Sequence, residues 1–368
     1  MTSRLWQRLR ARADAAPPTL ESGALLVGAA FFVLGFLVCL FVFWGRQLDI
    51  SGPGSIGAYA AVGGAVVAVL SVLLGRVVVL RGRVRARSDG LTMRDDRLRW
   101  YDTAAITLAY AATALLGWAG IASLLEHSFT GAPVFDFPGA VLVGVAYALT
   151  AYVCFLSAAS LTPMMLSLVL AIFLVVGAFA SMLTATDANW WRDNLSALGM
   201  ASNDSAWIFN GTLIVAGVIV TTIARYATAG LPAVDPKDAR RRHLIRLGLI
   251  LMGIFLTCVG IFPVDAFFLV HNTVATGMTV AFAAVVVALP WLVPSISKIF
   301  VGMGYVYVAV IVLLAIFFAT GYYNLTAVEL IAAILIFSWI IVFLRAAAEP
   351  AGPGQSSPSE EVRAGGYV

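Results

Sequence analysis

The chain has 368 residues, of which 61% are hydrophobic and only 11% are charged, and its mean hydropathy is +0.95. Globular proteins carry about 25% charged residues, so a soluble chain of this composition could not cover its own core. This excludes an ordinary cytosolic enzyme, a secreted disulfide scaffold and a disordered protein. The three cysteines lie inside apolar runs without zinc or disulfide spacing, and we interpret them as buried small hydrophobic residues.

Apolar segments follow one another along the chain, each close to the roughly 20 residues that a helix needs to cross a membrane. The sequence therefore predicts an all-α fold, a polytopic membrane helix bundle of about ten transmembrane helices over residues 23–345. The predicted spans are 23–44, 57–80, 103–125, 139–160, 164–184, 207–225, 245–262, 270–290, 299–320 and 326–345.

Basic residues predict the orientation of this bundle. With the N-terminus in the cytoplasm, all but two of the 23 Lys and Arg residues fall on the inner side, and only Arg46 and Arg192 face out. Membrane proteins concentrate Lys and Arg in cytoplasmic loops, so we expect both termini in the cytoplasm. Frequent Ala, Val and Arg, without organelle signals, indicate a bacterial plasma membrane.

The inner basic clusters predict contacts with anionic lipids, whose head groups attract Lys and Arg near the membrane surface. These loops lack interleaved aromatic residues and a recognisable binding fold, so nucleic acid is not an expected partner. Residues 1–22 have an apolar and an arginine-rich helical face, which predicts a cytoplasmic segment lying on the membrane. The Gly-, Ser- and Pro-rich tail, 346–368, is predicted to be disordered and cytoplasmic.

Polar residues gather at the outer ends of the spans, whereas the span centres hold almost no charge. Within a membrane, polar groups must face protein or water. We therefore expect the 185–210 loop and the 260–272 hairpin to form an outward-facing polar site. Its candidate ligand-binding residues are Trp190, Trp191, Arg192, Asn194, Ser196, Asn210 and Asn272.

His271 is the residue in this site best suited to chemistry, because a neutral histidine can act as a general base near physiological pH. Asp265 and Asp193 are the tentative carboxylate partners of this catalytic set. Asp265 and His271 do not share a helical face, so they are not paired along one helix. The alternative is a structural histidine hydrogen-bonded to the outer loop.

The residues around His271 also have two interpretations. Arg192 can hold a phosphate or a carboxylate in a bidentate manner, or pair internally with an acid. The candidate acids are Asp187, Asp193 and Asp265. Trp190 and Trp191 either line a lipid or sugar pocket or mark the membrane interface, where tryptophan concentrates.

Thr326 and Glu329 fit a capping box at the start of the last span, the alternative being a functional acid in the membrane.

The other motifs favour neither a cofactor nor a metal. His127 and His271 with a carboxylate lack the tight spacing of a metal site. The chain has no phosphate-binding loop, nucleophile elbow or dinucleotide fingerprint, so no cofactor is expected.

Four short pieces of sequence resemble one known family. They are Asn-Leu-Ser-Ala-Leu-Gly at 194–199, Phe-Asn-Gly at 209–211, Gly-Ile-Phe-Pro at 260–263, and His271. In order and spacing they resemble an uncharacterised bacterial membrane family, domain of unknown function 998, with a family-like core at about 139–320. That family is distantly similar to the Frag1/DRAM/Sfk1 membrane proteins, which are linked to lipid handling, and by analogy this favours a lipid ligand.

Three functions remain open at this point. The first is an accessory role in which the outer site binds a lipid or an envelope component. The second is a membrane enzyme that acts on a lipid-linked substrate at the outer leaflet, with His271 as general base. The third is a transporter of a small solute or lipid, which the confinement of polar residues to one end disfavours. A closed polar network favours the first, and a water-accessible cleft the second.

Overall fold

A computed structural model describes residues 20–88, 100–200, 204–229, 231 and 235–347. Most of the predicted interfacial segment (1–22) and of the predicted tail (346–368) lies outside the described residues. Where they are described, Leu20 already begins the first helix and Ala346 ends the last one.

The described residues contain 10 helices that are long and apolar enough to cross a membrane. This confirms the predicted polytopic helical fold. The helices are α1 (Leu20–Phe43), α2 (Ile56–Ser88), α3 (Trp100–Ser128), α4 (Asp136–Ala159), α5 (Pro163–Leu183), α6 (Asp204–Ala229), α7 (Pro236–Ile261), α8 (Phe268–Leu292), α9 (Lys298–Ala319) and α10 (Leu325–Ala346).

The chain divides into two compact units. The first contains Met1–Met165 and Ile172–Thr184, and the second contains Leu166–Ala171 and Ala185–Val368. All four pieces of the predicted family pattern lie in the second unit.

In the first unit, α4 packs against α1 and α2, and α2 packs against α3. Glycine allows the close approach of α2 and α4, because a Cβ on Gly63 would collide with the side chain of Tyr147. The Tyr147 hydroxyl donates to the Tyr59 carbonyl oxygen at 2.9 Å. Two short antiparallel strands, β1 (Gln47–Leu48) and β2 (Val134–Phe135), link the loops at one end of this unit.

In the second unit, α7 packs between α6 and α8. The α6–α7 contact depends on two glycines, since a Cβ on Gly253 would lie 2.7 Å from the carbonyl oxygen of Gly217. Small residues that allow backbones to approach are the usual basis of helix packing in membranes. We call this contact of Gly217 with Gly253 the glycine seam. It holds the start of α6 close to the end of α7, where two pieces of the family pattern lie.

An aromatic cluster joins α8, α9 and α10. The fully buried Trp339 stacks on Phe343 and Phe300 at ring-centroid distances of 5.3 Å and meets Phe282 edge-on at 5.5 Å. Offset and edge-on aromatic pairs stabilise a core beyond the area they bury. The cluster therefore holds α10 in place relative to α8. Of these two helices, α8 carries His271 and α10 carries Glu329.

The segment that leads into α6 forms two short 3-10 helical turns. We call Trp190–Arg192 the tryptophan turn and Leu195–Gly199 the serine turn. Asparagine carbonyls start both turns, with the Arg192 N–H donating to Asn189 at 2.9 Å and the Ala197 N–H to Asn194 at 3.1 Å. The serine turn contacts α6 and α10, and the tryptophan turn contacts α10.

Candidate functional site

His271 lies in the first turn of α8 and is buried, with 3% of its surface exposed. Its Nδ1 lies 2.7 Å from the carbonyl oxygen of Phe262, and its Nε2 lies 3.0 Å from the Ser196 hydroxyl oxygen. A carbonyl oxygen can only accept, so Nδ1 carries the proton of the neutral ring. Nε2 is then the acceptor, and the Ser196 hydroxyl donates to it. His271 thus links the end of α7 to the serine turn.

Glu329 holds the start of the same serine turn. Its Oε2 accepts from the Leu195 N–H at 2.6 Å, and its carboxylate also accepts from the Ser196 N–H. Ser196 is therefore held through its backbone by α10 and through its hydroxyl by α8.

The end of the serine turn is bonded to α6. Asn210 Nδ2 donates to the Gly199 carbonyl oxygen at 3.0 Å, and the Ser205 hydroxyl donates to the Leu198 carbonyl oxygen at 3.1 Å. The fit is close, since a Cβ on Gly260 would lie 2.6 Å from the Asn210 carbonyl oxygen. Residues from all four pieces of the family pattern thus meet in one hydrogen-bonded cluster.

The predicted capping box at the start of α10 is wrong. Asn324 caps this helix, its Oδ1 accepting from the Ala327 N–H at 3.1 Å. Asn324 Nδ2 also donates to the Trp191 carbonyl oxygen at 3.0 Å, which ties the tryptophan turn to α10. Because Asn324 starts the helix two residues before Thr326, Glu329 lies beyond the capping position and reaches the serine turn instead.

The other candidate residues lie at different depths. Asp193 and Asp265 are exposed, and Trp190, Asn194 and Asn272 are half-buried. Neither carboxylate provides the contacts to the His271 ring, which go to a serine and a carbonyl oxygen. A catalytic role for the two aspartates therefore stays a prediction.

Arg192 lies on the exposed side of the tryptophan turn. Its Cζ stands 5.4 Å from the ring centroid of Trp191, a cation–π contact, and 48% of Trp191 is exposed. Of the carboxylates whose side chains the structure describes, none lies within ion-pair distance of Arg192. The internal pair that the sequence favoured with Asp187, Asp193 or Asp265 is absent from this described part.

Metal-ligating residues do not gather in the described part of the chain. No group of three or more His, Cys, Asp or Glu residues there could hold a metal ion. His127, the other histidine considered for a metal site, contacts the Ser123 carbonyl oxygen of its own helix at 2.8 Å through Nδ1. It belongs to the first unit.

The sequence did not predict Glu329 and Asn324 as anchors of the loop. A polar residue near the end of an apolar span was a usable signal for both, because such residues face protein or water. Their partners could not be identified, since the Leu195–Glu329 contact joins residues 134 positions apart.

Residues 165–346 match a family described as "Protein of unknown function (DUF998)". This confirms the predicted resemblance, and the matched range contains all four pieces of the pattern. It begins and ends later than the predicted core of 139–320. No curated protein and no solved structure matches the chain significantly. The distant similarity to the Frag1/DRAM/Sfk1 proteins stays a prediction.

Proposed function

We propose that this multi-pass membrane protein, which carries a DUF998 domain, has an accessory role and binds the phosphate-bearing head group of a membrane lipid at its tryptophan turn. The observation that carries the proposal is the state of Arg192. Its guanidinium is exposed, in cation–π contact with Trp191 and without an ion-pair partner among the described carboxylates.

The chemistry of this pair suits a lipid head group at the membrane surface. A guanidinium presents a planar fork of donors that matches two oxygens of a phosphate. Tryptophan prefers the interface between lipid and water, so Trp191 places Arg192 at the depth of the head groups. The cation–π contact with the ring also limits the conformations of the Arg192 side chain, which lowers the entropy lost on binding.

The tryptophan turn is held in place before any ligand arrives. Asn324 fixes the Trp191 carbonyl oxygen, and Glu329 fixes the Leu195 N–H just beyond the turn. A preorganised backbone reduces the cost of ordering a loop on binding. The buried cluster around His271 therefore acts as a support for the turn, which fits an accessory role.

The charges around Arg192 favour a zwitterionic lipid over an anionic one. Asp187 and Asp193 are exposed on the same short loop. A purely anionic head group is repelled by these carboxylates, whereas phosphatidylethanolamine can direct its phosphate to Arg192 and its ammonium group to an aspartate. We therefore name phosphatidylethanolamine as the ligand to test first.

The test is lipid retention by the purified full-length protein, measured by native mass spectrometry after incubation with phosphatidylethanolamine. We expect Arg192→Gln to lower retention about ten-fold, because a charge-assisted hydrogen bond contributes about 1.5 kcal/mol or more. Arg192→Lys keeps the charge but loses the planar fork of donors, so its lipid retention should lie between those of wild type and Arg192→Gln. The matched control is Arg46→Gln, an exposed arginine of the first unit. Equal retention by wild type and Arg192→Gln would overturn the proposal.

A second candidate function is an enzyme that uses Ser196 as nucleophile. The Ser196 hydroxyl donates to His271, and the opposite ring nitrogen is fixed by a carbonyl oxygen in the place where serine hydrolases use a carboxylate. Against this candidate, Ser196 is only 8% exposed.

A serine-directed fluorophosphonate probe separates the two candidates. The accessory role predicts no covalent labelling of the wild-type protein in membranes. Labelling that disappears in Ser196→Ala, while the folded protein is retained in both, would establish the enzyme instead.

A further inference from the structure

An amphipathic cleft lies at the opposite end of α7 from the His271 cluster. Its cavity of about 220 Å³ is formed by the start of α7, the end of α8 and the residues that follow α8. One wall is apolar, with Leu292, Val293 and Pro294, and the other wall is charged, with Arg241 and Arg242.

The charged wall has more positive than negative groups. Asp238 also lines the cleft, and its Oδ1 lies 3.2 Å from a terminal nitrogen of Arg241, so these two charges largely offset each other. Arg242 has no ion-pair partner among the carboxylates whose side chains the structure describes. One guanidinium facing the cavity is thus left to bind an external anion.

Further arginines stand just behind this wall. Arg246, one turn along α7, donates through Nε to the Thr228 hydroxyl at 2.9 Å, and it lies within electrostatic range of the like charges of Arg242 and Arg225. Gathered like charges repel one another, and a bound phosphate group relieves that repulsion. The other titratable groups at the start of α7 are Asp235, which precedes the helix, and Lys237, Arg240 and His243 on its first turns.

We infer that this cleft binds an anionic phospholipid, with the head-group phosphate on Arg242 and the start of the acyl chains against Leu292, Val293 and Pro294. The apolar wall distinguishes a lipid from a free phosphate ion, because an ion gains nothing from it. Basic pockets at helix ends are recognised sites for anionic head groups. This site is separate from the tryptophan turn in position and in the charge of its lipid, so either proposal can fail alone.

The experiment measures retention of phosphatidylglycerol by the full-length protein in detergent, with native mass spectrometry as the readout and phosphatidylcholine as the neutral reference. We expect wild type to retain phosphatidylglycerol in preference, and Arg242→Gln to lower this retention about five-fold, the equivalent of about 1 kcal/mol for one arginine near a lipid head group. Arg242→Lys, which keeps the charge, should retain most of the binding and shows whether the position tolerates substitution.

Arg240→Gln is the matched control, since it removes the same charge from an exposed position on the same helix outside the cleft. Retention should stay at the wild-type level in this variant. An equal loss in Arg240→Gln and Arg242→Gln would mean a diffuse charge effect and would overturn the proposal. Competition by millimolar inorganic phosphate would overturn it too, because the site would then recognise the free ion.

Discussion

At the level of single residues, the polar side chains near the loop between α5 and α6 fall into two groups. Some are hydrogen-bonded within the protein, and others are exposed. Ser196, His271 and Glu329 are joined to one another or to backbone groups, so their hydrogen bonds hold the loop between α5 and α6. Arg192 is exposed and makes a cation–π contact with a tryptophan of the same loop. The hydrogen-bonded residues determine where Arg192 lies, so substitutions in the two groups should have different effects.

We predict that His271→Ala lowers the thermal stability of the protein. The substitution leaves the Ser196 hydroxyl and the Phe262 carbonyl oxygen without a partner, and each buried unsatisfied group costs about 1–3 kcal/mol. Thermal unfolding in detergent measures the loss. His127→Ala is the control, because His127 is exposed and contacts only its own helix. A variant as stable as wild type would mean that His271 does not hold the loop.

Glu329→Ala should likewise destabilise the protein, by about 1–3 kcal/mol, because it leaves backbone N–H groups of the serine turn without their acceptor. Glu329→Gln keeps one carbonyl acceptor and should recover part of this. The free energy of unfolding can be measured by titration with a denaturing detergent. If both variants unfold like wild type, the carboxylate does not support the serine turn.

The contrast between Glu329 and His271 shows what the sequence could predict at this scale. The pattern Thr326 to Glu329 is a genuine capping-box pattern, yet the helix starts earlier, at a cap that depends on the backbone conformation of Asn324. For His271, the alternative of a hydrogen bond to the outer loop proved to match the contacts. The partner itself, Ser196, is set by tertiary packing that no local pattern encodes.

At the scale of elements, the helices follow from hydropathy, and their packing depends on small residues. Each predicted span overlaps one observed helix, because the length and apolar character that define a membrane helix are properties of the local sequence. The two 3-10 turns have only three and five residues, too few to give a hydropathy signal of their own, and were predicted only as part of a polar loop. Glycine alone does not predict where helices pack closely, since only some of the 33 glycines lie in contacts between helices.

We predict that Gly253→Val destabilises the second unit by about 2 kcal/mol or more, because its Cβ would lie within 3 Å of the α6 backbone and would force α6 and α7 apart. Gly302→Val on α9 is the control, since nothing lies within 4 Å of a Cβ built there. Thermal unfolding of the two variants should differ clearly. Equal stability would mean that the glycine seam does not hold α6 against α7.

At the scale of the whole molecule, the family match and the candidate site both belong to the second half of the chain. The matched range begins at residue 165 and ends at 346, so α1 to α4 lie outside it. These four helices have their own core around Phe43, Ala140 and Val143. The first four helices therefore have their own packing, outside the range that matches DUF998.

The orientation of the whole helix bundle in the membrane is a prediction. The distribution of basic residues predicts that the tryptophan turn faces out and that the α8–α9 connection faces the cytoplasm. In intact cells, a membrane-impermeant maleimide should label Asp187→Cys but not Ser295→Cys, both positions being exposed. The native cysteines are buried or half-buried, and the unmodified protein serves as the background. The reverse labelling pattern would contradict the orientation.

The proposed function requires that a phospholipid head group occupies the tryptophan turn in a membrane. The most direct measurement replaces Trp190 with a photoreactive benzoylphenylalanine, irradiates the protein in bilayers that contain phosphatidylethanolamine, and identifies the attached molecules by mass. We predict a phosphatidylethanolamine adduct at this position that falls sharply when Arg192→Gln is added and persists when Arg46→Gln is added instead. An adduct of the same amount in all three proteins, or none in any, would contradict the proposed function.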